Sequence, residues 1–212
     1  GARKNKRSIQ SRWIRANWGF TSDDQTRELN ELIKLYNFPI KYTRPDSIID
    51  SIVQSLIQNK IVAVCRDRQE VGDRALGFRS ILSMPYKKNK DDVNDNVKFR
   101  EAWRPFAPIV LEDCVEKYFL NKRPEPFMTV IYDVSPIHKK DIEGIVHVDN
   151  TARVQTVNSE NNPFIYQILK LLQENGYPPV LLNTSFNING HSMVRTIYDS
   201  VITFLATKID EL

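Results

Sequence analysis

Apolar residues recur at three- and four-residue spacing in some stretches of this chain and in short continuous runs in others, which separates helices from strands. Ser22 is placed to cap a helix over about 23–36, with Gln25 reaching back, Phe20 just outside the cap, and Leu29, Leu32, Ile33 and Tyr36 on one face. Beyond Pro39 and Pro45, Asp46 is the expected cap of a second helix carrying Ile48, Ile49, Ile52, Val53, Leu56 and Ile57. Asn162 followed by Pro163 opens another, with Ile165, Ile168, Leu169 and Leu172 inward and Gly176 as its stop. Thr196 with Asp199 three residues on caps a closing helix that buries Val201, Ile202 and Leu205.

Between these, Ile61 to Cys65 reads as a buried strand, and Leu76 to Met84 as extended chain. Phe106 to Leu111, Phe127 to Val134 and Pro179 to Leu182 are further apolar runs, and residues 144–157 make a strand pair or bend. Lys87 to Asn96, rich in lysine, aspartate and asparagine, reads as a polar loop. No internal repeat is visible. The sum is one α/β (α+β) domain with roughly five to seven strands.

Composition narrows the class. The 212 residues are 41% hydrophobic and 26% charged, enough for one core. No apolar stretch approaches a membrane span, and the basic start leads into Trp13, Ile14, Arg15 and Ala16 instead of a signal-peptide core. Cys65 and Cys114 form neither a disulfide framework nor a zinc spacing, so a reduced, cytoplasmic protein is expected. The net charge of +4 suggests nucleic acid at first sight. Its distribution argues otherwise: Arg3, Lys4, Lys6, Arg7, Arg12 and Arg15 crowd the first twenty residues, whereas all 26 acidic residues lie beyond them. Residues 1–22 are expected to be a basic arm or linker, and 23–212 the domain.

Four segments set cations or amides against Gly, Pro or strand ends. Glu70 to Ser80 carries Arg74 and Arg79 around an apolar pair, so at least one arginine must face the core; a structural pairing of Arg74 with Glu70 is the plainer alternative. Lys98 to Pro108 interleaves Lys98, Arg100 and Arg104 with aromatics. His147 to Val157 alternates from Thr151, which puts Thr151, Arg153, Gln155 and Val157 on one strand face. Asn183-Thr184-Ser185-Phe186-Asn187 follows an apolar strand, where α/β sheets place ligand groups. Converging cations require an anion, and arginine's planar fork suits phosphate. The three histidines form no pair at metal-ligand spacing, Ser185 lacks the hydrolase elbow, and there is no P-loop.

Together the segments resemble the C-terminal, YrdC-like domain of the nodulation and antibiotic-type O-carbamoyltransferases, a fold with a twisted mixed β-sheet and flanking helices. The resembling stretches are Gly72 to Leu82, Lys98 to Pro108, His147 to Val157 and Leu181 to Asn187, in order. Asp73 stands where the family usually has proline and Asn150 where it has glycine, which bears on loop geometry. The resemblance implies an enzyme domain that binds carbamoyl phosphate and ATP with Mg2+ as substrates and makes carbamoyladenylate. A separate actin-like domain, in the same or another chain, then passes the carbamoyl group to a hydroxyl. It implies that Arg74, Lys98, Arg104, Arg153 and Ser185 form the phosphate-binding and catalytic site, that Asn183 and Asn187 orient the carbamoyl amide or nucleotide, and that no metal site is built within this chain alone. Two alternatives stay open: a threonylcarbamoyl-adenylate-synthase-like enzyme, and a nucleic-acid-binding YrdC-like module, against which the acidic body argues.

Overall fold

Side chains alternate across each strand, and here both faces of the central strands are apolar, so the sheet must be covered on both sides. The computed structural model describes residues 25–37, 40, 42–121 and 123–212, which leaves the basic arm and the Ser22 cap outside the described residues. Seven strands form among them: β1 (Val62–Cys65), β2 (Arg79–Ser83), β3 (Ala107–Leu111), β4 (Ile131–Asp133), β5 (Thr151–Arg153), β6 (Gln155–Val157) and β7 (Val180–Ser185). Five make a mixed sheet in the order β1-β2-β7-β3-β6, antiparallel except for the β3–β6 pair, while β4 and β5 pair antiparallel in a small second sheet.

One face of the large sheet, through Val62, Val64, Leu82, Ile109, Leu111 and Leu181, packs on α2 (Ile48–Ile57) and α5 (Pro163–Glu174). The other, through Ala63, Ile81, Val110 and Leu182, packs on Val93 and Val97, on Tyr118 and Phe119, and on Tyr132 of the small sheet. Each fully buried Leu, Ile or Val contributes about 1.5–3 kcal/mol. The first helix, α1 (Gln25–Tyr36), meets the last, α6 (Ile197–Leu205), through Tyr36 and Tyr198.

The caps follow the sequence closely. The Asn162 side chain accepts from the Ile165 amide with Pro163 in the first turn, and Thr196 and Asp199 form a reciprocal capping box. Three expectations are corrected. Of the residues expected to face inward on α6, Val201 is buried but Ile202 and Leu205 are exposed. The cap of α2 is Ser47, not Asp46: Ser47 has extended backbone and its hydroxyl accepts from the Asp50 amide at 3.2 Å. Residues 87–96 are not a loop but helix α3 (Lys87–Val93), continued by a π turn over Asn94–Lys98. Val93 and Val97, four apart and fully buried, anchor it, Asn89 and Asn94 are buried with their amide nitrogens donating to backbone carbonyls, and Lys87 pairs with Asp91. The second half of the apolar run 127–134 supplies β4, and of 76–84 only Arg79–Ser83 is strand.

Gly144 marks the tightest approach in this packing. Its amide donates to Pro85 O at 2.8 Å, and a β-carbon there would stand 2.3 Å from Tyr86 O. Backbone cannot move aside cheaply, so Gly144→Ala should cost about 1–3 kcal/mol, read as a lower urea midpoint at unchanged m-value. An unchanged midpoint would contradict this packing.

Candidate functional site

The sheet's register brings the singled-out segments to one edge. Ser185 pairs with Ser80 and Asn183 with both Leu82 and Ala107, so the carboxyl end of β7 lies beside the starts of β2 and β3. Because β6 runs parallel to β3, with Gln155 opposite Ile109, its start with Arg153 just before it faces the same way.

The loop from Glu70 to Phe78 folds over this edge. Glu70 is only 3% exposed, and its carboxylate accepts the amides of Leu76, Phe78 and Arg79 at 2.7–3.2 Å. It therefore does not pair with Arg74, which is exposed. Gly77, at φ +95°, lets the loop pass where a β-carbon would meet Ile165 Cγ1 at 2.7 Å. The buried arginine expected here is Arg79, 1% exposed, whose guanidinium donates to the carbonyls of Arg66, Phe78, Asp67 and Arg195. Arg66 lies between the rings of Phe78 and Phe164 and donates to Gly77 O and Asn162 Oδ1, tying the loop to the start of α5.

Two cationic groups result. In the first, Arg74 and half-buried Arg153 are close enough that Arg74, after burial itself, lowers the Arg153 pKa. Neither has an ion-pair partner among the described residues, and the buried Arg153 Nε has no hydrogen-bond acceptor. In the second, Lys98 is 3% exposed with its ammonium against four neutral oxygens: Ser185 O at 2.5 Å, Ser185 Oγ at 3.3 Å, Asn187 O at 2.9 Å and Asn187 Oδ1 at 2.7 Å. Burial, then the charge of Arg100, pushes Lys98 down to about 7. Ser185 in turn donates to Asn187 Oδ1. Arg104 stands on the same edge but is engaged: it pairs with Glu101 at 3.0 Å beside the exposed Trp103 ring.

Between the groups, Asn183 Nδ2 donates to Ala75 O at 2.7 Å and Gln155 Nε2 to Leu76 O at 3.2 Å, while Asn183 Oδ1 and Gln155 Oε1 are buried with no donor. Gln155 was visible from the sequence as sharing a strand face with Arg153, but its role was not. Arg100, over the Phe106 ring, was likewise passed over. Asn150, standing where the resembling family has glycine, adopts φ 64°, a left-handed turn that asparagine tolerates. A cavity of about 640 Å3 opens from Asn187 along α6, past Ile188, Met193 and Tyr198; Arg74, Arg153 and Gln155 do not line it.

The family model for the carbamoyltransferase C-terminus matches residues 53–212. The chain belongs to this family. Among its relatives are nodulation protein NolO of Bradyrhizobium diazoefficiens, 36% identical over 92% of this chain and 36% of that protein, and 3'-hydroxymethylcephem-O-carbamoyltransferase of Amycolatopsis lactamdurans, 31% identical over 77% of this chain and 31% of that one. The chain thus spans about a third of the length of these curated relatives. Its fold is shared with a solved structure of full-length HypF in a phosphate- and nucleotide-bound form, at TM-score 0.55 and 15% identity over 79% of this chain and 21% of HypF. The mixed sheet with flanking helices expected of a YrdC-like domain is the architecture the carbamoyltransferase C-terminal chain adopts. No helix among the described residues is long and apolar enough to cross a membrane.

Lys98 gives this site a pH signature. Folding lowers its pKa from 10.5 to about 7, so across that window the unfolded chain holds a proton the native one has released. Unfolding free energy therefore gains a contribution that rises with pH between those values, by at most about 1.4 kcal/mol per unit, and is flat below them. Urea titrations of wild type and Lys98→Met should diverge across the window, with the rise present only in wild type. Parallel curves would contradict the buried, charge-poor setting of Lys98.

Proposed function

We propose that this domain binds carbamoyl phosphate and ATP and forms carbamoyladenylate, which an actin-like domain then uses to carbamoylate a hydroxyl. The observation that carries the reading is the pairing of opposite deficits on one sheet edge. Arg74, Arg153 and Lys98 lack anions, whereas Asn183 Oδ1 and Gln155 Oε1 lack N–H donors. Carbamoyl phosphate carries a dianion at one end and an NH2 group at the other, so one molecule answers both. The name of the Amycolatopsis relative and the phosphate and nucleotide bound in the HypF structure support the same chemistry.

In this reading Arg74 and Arg153 take the phosphate of carbamoyl phosphate, and Asn183 and Gln155 hold its amide. Lys98, with Ser185 and Asn187 around it, meets the nucleotide phosphates, and Arg104 joins by exchanging Glu101 for them. Anion binding restores the proton to Lys98. Mg2+ enters on the ATP phosphates and offsets their charge. A carbamate oxygen attacks the α-phosphorus and pyrophosphate leaves, with fixed cations neutralising charge as it develops. Residues 23–212 act as the adenylating unit, and the acceptor is chosen by the partner domain.

Arg153 makes no hydrogen bond in the fold through its buried Nε, so Arg153→Ala should leave the unfolding midpoint nearly unchanged. Pyrophosphate release from ATP with carbamoyl phosphate should fall more than tenfold, as expected from losing a charge-assisted bond of about 1.5–3 kcal/mol. Threonine with bicarbonate should not replace carbamoyl phosphate in wild type. Equal rates in the two proteins, or threonine-dependent release, would overturn the reading.

A further inference from the structure

The adenylate-forming reading leaves one step without a residue: carbamate must first be released from carbamoyl phosphate, and that requires an activated water. In the turn leading into β5, the strand that carries Arg153, stands a proton relay that the phosphate-binding residues do not use. Asp149, exposed, accepts the Thr151 hydroxyl at 2.7 Å and the Thr151 amide at 3.1 Å on the same oxygen. The single hydroxyl proton of Thr151 is thereby committed, so Thr151 Oγ1 faces His147 Nδ1, 3.2 Å away, as an acceptor. Nδ1 must carry the hydrogen, and the neutral ring keeps its lone pair on Nε2. The turn is fixed by backbone bonds from His147 N to Thr151 O and from Asn150 N to His147 O.

The placement matters as much as the tautomer. Thr151 and Arg153 are two apart on β5 and so project from the same face, with Asp133 and Ile131 opposite them on β4. His147 is half-buried, and burial lowers its pKa. Around it Asp149 raises the pKa while Arg153 and Lys90 lower it, so Arg153 on β5 and Lys90 from α3 are its cationic neighbours. A neutral imidazole, oriented by a carboxylate through a hydroxyl and bordering a phosphate-binding arginine, is the arrangement a general base needs.

We propose that His147 is the general base for cleavage of carbamoyl phosphate, with Thr151 and Asp149 as its positioning residues. A water oxygen forms a bond to the carbonyl carbon and gives one proton to His147 Nε2. The bond between that carbon and the bridging phosphate oxygen breaks, its electron pair leaves with phosphate, and the imidazolium returns the proton to the phosphate. The products are inorganic phosphate and carbamic acid, which loses its remaining water-derived proton to solvent to become carbamate; the only co-reactant is water, and nothing is oxidised or reduced. The inference rests on the adenylate-forming reading.

The two can be separated by supplying carbamate directly, as ammonium with bicarbonate, which bypasses the cleavage. The comparison is between wild type, His147→Asn, which keeps an amide donor for Thr151 but has no Nε2 base, and Thr151→Val. With carbamoyl phosphate and ATP, His147→Asn should lose about a hundredfold in the kcat for pyrophosphate release at little change in KM, and Thr151→Val should lose less. With carbamate and ATP all three should react alike, which also shows that the variants are folded. The wild-type rate with carbamoyl phosphate should fall on the acid side, below the ordinary histidine range, and that limb should be absent with carbamate. Equal loss with both substrates, or no loss with either, would overturn the role of His147. A wild type active with neither substrate would overturn the adenylate-forming reading and this inference with it.

Discussion

A buried carboxylate that holds backbone, not a cation, organises this domain. Glu70 commits its oxygens to the amides of Leu76, Phe78 and Arg79, and so fixes the turn that crosses the sheet edge at Gly77. Acceptor bonds of this charge-assisted kind are about twice as strong as neutral ones, and here they are shielded from water. Because Glu70 is occupied, Arg79 must find its acceptors elsewhere, and it gathers the carbonyls of Arg66, Asp67 and Arg195. One acid bonded to main-chain amides and one arginine whose two terminal nitrogens donate to main-chain carbonyls thus join the end of β1, the start of β2 and the entry to α6. Had Glu70 paired with Arg74 instead, the loop would have lost its frame and the edge one of its free charges.

The same economy of acids explains the electrostatics. Lys98 has its hydrogen bonds satisfied by neutral oxygens, but hydrogen bonds to carbonyls do not neutralise a charge removed from water. Arg74 and Arg153 repel one another without an intervening carboxylate. These arrangements oppose folding and favour an anion, because an anion removes the repulsion and the desolvation together. Donors fixed in advance by packing need not reorganise when charge develops, and that is where such a site gains over water. The stability given up at this edge is carried by the two apolar faces of the sheet, far larger in area.

Much of this was legible in the sequence, for definable reasons. Helix caps are local chemistry, so Asn162, Thr196 and Asp199 announce themselves, and cations set against Gly, Pro and strand ends mark the segments within which the family resemblance singles out Arg74, Lys98 and Arg153. Residues 87–96 were misread because only Val93 and, beyond it, Val97 are apolar there; the segment's helicity depends on tertiary burial of those two and of Asn89 and Asn94, which composition does not show. Ser47 and Asp46 are both good caps, and only the backbone conformation decides between them. Spacing allows Glu70 to pair with Arg74 as an alternative, whereas its real partners are amides that become available only once Gly77 turns. Gln155 and Asn183 look like ordinary strand amides until the register shows each with its nitrogen on the Ala75–Leu76 loop and its oxygen empty.

That Arg153 and Gln155 face a loop at this edge follows from the break between β5 and β6. Up to Arg153 the chain pairs with β4 in the small sheet, and from Gln155 it pairs with β3 in the large one. Ala152 and Val154 stay in the core on one side of the sheet while Val157 reaches the opposite core, so the strand changes partners without losing its alternation. At this change β4 reaches only to Ile131, opposite Arg153, and β3 extends just two residues, Ala107 and Pro108, beyond its pairing with Gln155, whose side chain meets the Leu76 carbonyl of the loop. Arg153 and Gln155 are the two residues on that face, and the loop they meet is the one Glu70 holds. An uninterrupted strand would have flanked both with neighbouring side chains from a single sheet. The switch between sheets therefore turns both toward the acid-held loop, whose Leu76 carbonyl accepts from Gln155 and whose Arg74 stands close enough to Arg153 to lower its pKa.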